Sequence, residues 1–460
     1  MKRGLLAAAL ALWASAAAAQ GVEPEAGATF SLDQARLVAR GALQAGEFEL
    51  ARQIAMGLLQ ADEEDPFAYG VLAAAHSRLN DPKLARAAAR LSYRYSDTRV
   101  QKFGAARTAA RVAAAQDRPT QSQAWLRIAA AHADTPEQDT LVAREYARAR
   151  AANPLRFDLN FSIAPSDNVN NGTDNVLEVI NGVPTFGFFR GSSRALSGTV
   201  AVFDARLRYR LRANQKSRTT ATARLYTRQV DLSSEAQSIA PNVSNSDFAS
   251  TYAELGVQHR FALGAPGNAM GVGAAIGASW FGGERSYDFF KANLRRDVRL
   301  SERSRLSLTG VAERRLSTIS SLRDASVVTL GANFGHKLSG GDRFRIGLTV
   351  QDVTGDNINA DFQTASLRAS YTFGKQVGPV QITTGLTVGY TDYNVYTLVR
   401  PVDGGRQDES IYGDISLFFK DYHVAGFAPT LQLRTGQRSS NVNRFEISET
   451  TITFGIQSKF

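Results

Sequence analysis

The sequence predicts an all-α helical repeat domain followed by an all-β transmembrane antiparallel barrel of about fourteen strands. Three observations predict it. Before Asn153 the chain is Ala-rich, carries apolar residues at helical spacing and matches itself at an offset of 34 residues, Gly46, Leu50, Ala51 and Arg52 aligning with Asn80, Leu84, Ala85 and Arg86. From Arg156 to Phe460 it alternates apolar and polar residues in long stretches joined by connectors that switch between very short and long. No run reaches the ~20 apolar residues of a spanning helix, and backbone groups unpaired in hydrocarbon cost several kcal/mol, so a closed barrel is how such strands cross a membrane.

The chain opens on Lys2 and Arg3, an apolar stretch at 5–14 and small residues through Ala17, Ala18 and Ala19. That order predicts an export signal at residues 1–19, cleaved after Ala19. There is no cysteine, which removes disulfides, thiolate metal sites, cysteine nucleophiles and a lipid anchor. The net charge of +10 admits anionic partners. Mean hydropathy is negative, as in a soluble protein, but in a barrel lipid-facing and lumen-facing residues alternate and the average cancels.

The offset of 34 is the period of the tetratricopeptide repeat, two antiparallel helices packed through small residues. A third unit fits with Pro119 in the role of Pro82 and a slight insertion. Helices are expected at 33–45, 48–60, 66–79, 82–95, 99–116, 119–133 and 136–151. A periplasmic domain over 20–153 and a barrel domain over 154–460 follow. Helical repeats offer a concave face to a protein partner; a spacer without a ligand is the alternative reading.

Strands are expected to begin at Arg156, Ala195, Ser217, Phe248, Asn268, Tyr287, Arg305, Ala325, Arg343, Phe362, Val380, Ser410, Ala428 and Phe445. An even count puts the start of the first strand and the end of the last on one side. The short turns at 212–216, 265–268, 301–304, 339–342, 375–378 and 421–426 belong on the periplasmic side, and the longer connectors, above all 165–194, 231–247 and 394–408, outside.

Cost fixes the register. In the second strand Ala201, Phe203, Ala205, Leu207, Tyr209 and Leu211 share one face, and Asp204, Arg206, Arg208, Arg210 and Arg212 the other. An arginine in mid-bilayer costs about 2–4 kcal/mol, so these guanidinium groups are expected to face the lumen. The same reasoning turns Arg218, Arg224, Arg228, Arg343, Arg345, Arg368 and Arg434 inward and predicts a basic lumen.

The last strand places Ile452, Phe454, Ile456 and Phe460 on one face with Gly455 between them, and the ending TFGIQSKF resembles the signal read by the barrel assembly machinery, here through Gly455 and Phe460. After the first strand comes IAPSDNVNNGTDN, with Pro165, Asn168, Asn170 and Thr173. A signal, tetratricopeptide repeats and a barrel whose first strand leads into a proline, an Asn-x-Asn segment and a threonine resemble the surface lipoprotein assembly modulator (Slam) family over nearly the whole mature chain. That resemblance implies an outer-membrane factor that helps lipoproteins, or in some relatives soluble secreted proteins, cross or reach the outer face; no cofactor is expected. Taken as residues alone, asparagines after a proline favour turns and self-bonded backbone, so the segment either braces the first loop inside the lumen or touches cargo.

The expected partners are a secreted or lipidated client, outer-membrane lipid and the barrel assembly machinery, and not nucleic acid. Asp167, Asn171, Gly172 and Glu178 sit at calcium-loop positions, but Val169 occupies a ligand position and no helices flank the segment, so no metal is assigned and calcium in the exterior loops stays open. The five histidines lack ligand spacing, and neither a phosphate loop nor a nucleophile elbow is present, so no enzyme is expected. Export of an anionic polysaccharide, or a general porin, is the alternative function.

Overall fold

The computed structural model of the protein describes residues 31–175, 177–398 and 400–458. The expected export signal and the closing Phe460 lie outside them. The chain divides into two compact units between Val142 and Ala143.

Among the described residues, seven helices precede the first strand: α1 (Leu32–Ala45), α2 (Phe48–Ala61), α3 (Pro66–Arg78), α4 (Pro82–Arg94), α5 (Arg99–Ala115), α6 (Pro119–Ala131) and α7 (Pro136–Ala152). The last runs across the division between the units, and the boundary expected after Asn153 follows its end. Local chemistry sets their starts. Ser31 and Gln34, like Thr98 and Gln101, form reciprocal capping boxes, and Asp65 accepts from the Phe67 and Ala68 amides. Pro66, Pro82 and Pro119 stand in the first turn, where no amide hydrogen is needed.

The self-match has a backbone cause. Gly46, Asn80 and Asp117 adopt left-handed conformations, with φ of 86°, 65° and 52°, in the turns that follow α1, α3 and α5. The third turn comes later than a strict 34-residue spacing allows, which is the insertion expected from the sequence. Ala39, Ala51, Ala55, Ala73 and Ala85 are wholly buried between the helices. Alanine loses no rotamer freedom on burial and lets helix axes approach closely.

The second unit is a closed antiparallel barrel of fourteen strands. In chain order they are β1 (Leu155–Ser166), β4 (Gly198–Ala213), β5 (Ser217–Leu232), β6 (Ser250–Ala262), β7 (Ala269–Phe281), β8 (Glu284–Arg299), β9 (Ser304–Ser317), β10 (Ala325–Lys337), β11 (Arg343–Gly355), β12 (Phe362–Thr372), β13 (Gln381–Tyr393), β14 (Arg406–Phe418), β15 (Phe427–Ser440) and β16 (Ile447–Ser458). Each begins within four residues of its expected start. The first long connector adds an unanticipated hairpin, β2 (Leu177–Ile180) with β3 (Val183–Phe188), which is not part of the wall.

Faces follow the period of two. Phe157, Leu159, Phe161 and Ile163 of β1 are exposed on the outer face, as are Leu348 and Val350 of β11 and Ile452, Phe454 and Ile456 of β16. Inside, glycines make room for large neighbours. A Cβ on Gly277 would collide with the Phe289 ring, and one on Gly385 with the Arg368 guanidinium and the Asp414 carboxylate.

The ring closes unevenly. β1 pairs with β4 along all its residues, whereas its pairing with β16 is confined to Phe161–Ile456, Ser162–Gly455, Ile163–Phe454 and Ser166–Thr451 among the described residues. The gap before Ser166 contains Pro165, which has no amide hydrogen to offer either neighbour.

Candidate functional site

Arg206, Arg208, Arg210, Arg218, Arg224, Arg228, Arg343, Arg345, Arg368 and Arg434 lie in the register row opposite the apolar outer face. Arg212 does not. A bulge between Arg210 and Arg212 leaves Leu211 unpaired and sets Arg212 against Thr219, whose neighbour on the outer row is His259. One extra residue reverses the alternation beyond it, which a strict period of two cannot register.

Inside the wall Arg206, Arg208, Arg224 and Arg368 are ordered by carboxylates. Asp204 accepts from Arg206 at 2.8 Å and from Arg224 twice at 3.0 Å. Arg208 bonds Asp158, and Lys291 pairs with Glu254, which also accepts from the Tyr252 hydroxyl at 2.5 Å. Arg368 grips Asp414 with two nitrogens at 2.7 and 3.0 Å and donates to Thr387 at 2.9 Å. Arg434 lies over the Tyr412 ring, 4.4 Å from its centroid. Arg210 instead caps the end of α7 by donating to the Ala151 and Ala152 carbonyls, at 3.3 and 2.8 Å.

The Pro-Asn-x-Asn segment lies at the long-connector end, and it is a hydrogen-bonded knot. Pro165 sits in β1 opposite Thr199. Asn168, buried, closes a loop on itself: its side chain donates to the Gly172 carbonyl at 2.7 Å and accepts from the Gly172 amide at 3.0 Å. Asn170 donates to the Ser192 and Arg194 carbonyls at 2.8 and 2.7 Å and accepts from the Leu196 amide at 2.9 Å. Between them Val169 is buried and its carbonyl accepts from Arg228 at 2.7 Å, so one of the lumen arginines holds the segment in place. A Cβ on Gly172 would overlap the Arg194 carbonyl, which explains the glycine before Thr173.

Thr173, wholly buried, donates its hydroxyl to the Asn443 carbonyl at 3.0 Å, and Asn175 bonds the same carbonyl and Glu446. Asn443 in turn accepts from the Val179 amide at 2.7 Å and donates to the Leu177 carbonyl at 2.6 Å, which pins the extra hairpin. The first connector is thereby tied to the one before β16, two segments about 270 residues apart in sequence. Nothing in the local sequence near Asn443 marks it for this part. Of the calcium-loop candidates, Glu178 is paired with Arg444 and the Gly172 amide is taken by Asn168. Among the described residues no cluster of three or more potential metal ligands forms.

A second buried centre at this mouth went unmarked in the sequence. Arg406, 7% exposed, donates to Asp408 at 3.0 and 2.5 Å and is enclosed by Phe445, Tyr393 and Tyr396, with ring centroids at 3.3, 4.5 and 5.3 Å. Gly455 of the expected assembly signal faces Thr430 and Ser162 across the wall, leaving no room for a Cβ.

The helical unit carries a groove of about 1940 Å³ floored by small residues such as Gly70, Ala74, Gly104 and Ala105. Its rim alternates charge and aromatic surface: Arg40 over Phe67 at 5.6 Å, Arg78 over Phe48 at 5.7 Å, and Arg36 bonded to Asp65 at 3.1 Å. The Asp65 hydrogen bond pushes the Arg36 pKa up, and burial pushes the Tyr69 phenol up. Just past the end of α6, burial holds the His132 imidazole below its ordinary value, helped by Lys102 and Arg99.

No curated protein matches the chain. Among solved structures it is similar to the type III secretion translocator chaperone SycD of Yersinia enterocolitica, at 20% identity over 27% of this chain and 86% of that one, with a TM-score of 0.24. It is similar also to a loop-deleted OmpT, an outer membrane protein of Vibrio cholerae, at 9% identity over 66% of this chain and 99% of that one, TM-score 0.35. The COG4313 outer membrane channel of Pseudomonas putida F1 gives 12% identity over 65% and 94%, TM-score 0.32. The family described as surface lipoprotein assembly modifier matches residues 156–460, from the second residue of β1 to the end of the chain. The protein belongs to that family: an outer-membrane barrel that serves the assembly of lipoproteins at the cell surface.

Proposed function

We propose that the periplasmic repeats, within a domain spanning 20–153, capture a lipoprotein client, and that the barrel gives this client a route or a platform at the outer membrane. The observation that carries the reading is the groove of the helical unit. It is large, floored by glycine and alanine, and rimmed by arginine–aromatic pairs and carboxylates, a surface that fits an extended polypeptide with mixed side chains. Insertion of the barrel by the assembly machinery, through Gly455 and Phe460, and contact of the outer face with lipid belong to the same reading. The family match favours a protein client over an anionic polysaccharide or a general pore.

The test compares a deletion strain with strains complemented by the parent chain or by a groove variant, Arg40→Glu with Arg78→Glu. Protease accessibility of surface lipoproteins on intact cells is the readout. Accessibility lost on deletion, restored by the parent and not by the variant at equal barrel abundance, supports capture in the groove. Unchanged accessibility of every lipoprotein on deletion overturns the role.

A further inference from the structure

We infer that the short-turn mouth of the barrel is a docking collar for an acidic, extended segment of polypeptide. The inference rests on the reading that the barrel gives a protein client a route or a platform. The collar comes from the inward register row next to the short turns. There Arg156 stands opposite Arg208, Arg218 opposite Arg260, Arg299 opposite Arg305, and Lys337 opposite Arg343. Like charges directly opposed across two strands destabilise a sheet, and here the opposition recurs around one end of the ring.

Acids relieve only part of it. Arg208 has Asp158, and Arg260 has Asp297 at 3.0 Å. Among the described residues Arg156, Arg218, Arg305, Lys337 and Arg343 make no ion pair, and Arg299 bonds only the Ser301 carbonyl with its side chain. In the adjoining turns Asp342 accepts from the Tyr371 hydroxyl and the Gly374 amide, and Glu302 makes no ion pair. Arg218, Arg299, Arg305, Lys337 and Arg343 are exposed, so their charge faces water.

Deeper in the wall the pattern changes. Arg206 and Arg224 share Asp204, Lys291 has Glu254, Arg315 has Glu313 and Arg368 has Asp414. Among the described residues, opposed cations with no acid shared between them are therefore confined to the mouth; Arg228, Arg345 and Arg434, deeper in the wall and also without an ion pair, are not opposed by another cation. A polyanion passing the whole length would meet these carboxylates, whereas a segment that docks at the mouth meets the opposed cations first. Cations on several strands around one opening are satisfied together by carboxylates spaced along a flexible chain. Such a ring also raises the local concentration of its ligand before contact.

The test uses the full-length protein in lipid nanodiscs and a fluorescent Glu-Gly-Ser peptide, with Gln-Gly-Ser as the neutral control and a uronic-acid polysaccharide as competitor. Neutralising the collar with Arg305→Gln, Lys337→Gln and Arg343→Gln is expected to weaken binding of the acidic peptide by about tenfold or more and to flatten its salt dependence. The charge-keeping variant Arg305→Lys with Arg343→Lys is expected to bind like the parent. Heat-modifiable migration of each variant on gels confirms a folded barrel. Equal binding of the neutral peptide, equal binding by the neutralised variant, or binding of the polysaccharide without the peptide overturns the inference. Peptide binding as expected, with lipoprotein exposure unchanged on deletion, leaves the collar standing and removes only the functional reading beneath it.

Discussion

Replacing Asn170 by alanine is the most direct way to release the first connector from the mouth. Its side chain donates to the Ser192 and Arg194 carbonyls, and accepts from the Leu196 amide and, at 3.3 Å, from the Gly172 amide. With the longest bond discounted, three remain, each contributing a net ~1 kcal/mol, so the docked form loses about 3 kcal/mol. At 1.4 kcal/mol per decade that is a shift of about a hundredfold toward the undocked form. Hydrogen exchange of the full-length protein in nanodiscs reads this directly: the Val169 and Thr173 amides, bonded to the Leu196 and Ser193 carbonyls, are expected to lose protection by about that factor. Amides in the middle of β10 and β11, remote from the knot, serve as the internal reference. An unchanged exchange rate at Val169 and Thr173 in a folded Asn170→Ala variant would refute the claim that this side chain anchors the segment.

Three other perturbations follow from the same structure. Arg406→Met leaves Asp408 buried without its cation, a change that costs about 3–5 kcal/mol, and the temperature at which the barrel loses its compact gel migration is expected to fall; adding Asp408→Asn should recover part of it. Asp65→Ala removes the cap of α3 together with the partner of Arg36, and the melting of the far-UV helical signal is expected to report a loss of about 1–2 kcal/mol, with no change in barrel migration. His132 has a folded pKa held below the free value near ~6.5, so its contribution to stability is complete above that pH and is lost as pH falls through the folded value. Helical melting at pH 7.5 and pH 5 should show that loss, and His132→Gln should reduce it; an identical pH dependence in the variant contradicts the assignment.

The wall was legible in the sequence because two independent signals agree along it. Side chains alternate with period two, and burying a guanidinium in lipid is costly enough to choose the face, as Arg206 and Arg208 opposite Phe203 and Leu207 illustrate. Helix starts were legible through Pro66, Pro82 and Pro119, and the repeat through two turn residues that share a left-handed backbone. Arg212 was misplaced because a single bulge inverts the alternation without any mark in composition. The knot was half visible. Asn168 and Asn170 announce a turn, but the partner of Thr173 is Asn443, and no local pattern encodes a contact over that separation. The same holds for Arg406, whose enclosure by Tyr393, Tyr396 and Phe445 joins three separate stretches of chain.

The join between β1 and β16 sets how this wall answers load. Among the described residues thirteen of its fourteen joins are rungs repeated along nearly the whole overlap of two strands; the fourteenth holds by a few rungs around Ser162 and Gly455, with a proline interrupting the ladder above them. Hoop tension is common to every join in a ring, so the one with the fewest rungs yields first. Any swelling of the cylinder is thereby directed to a single meridian, beside the first strand and the last.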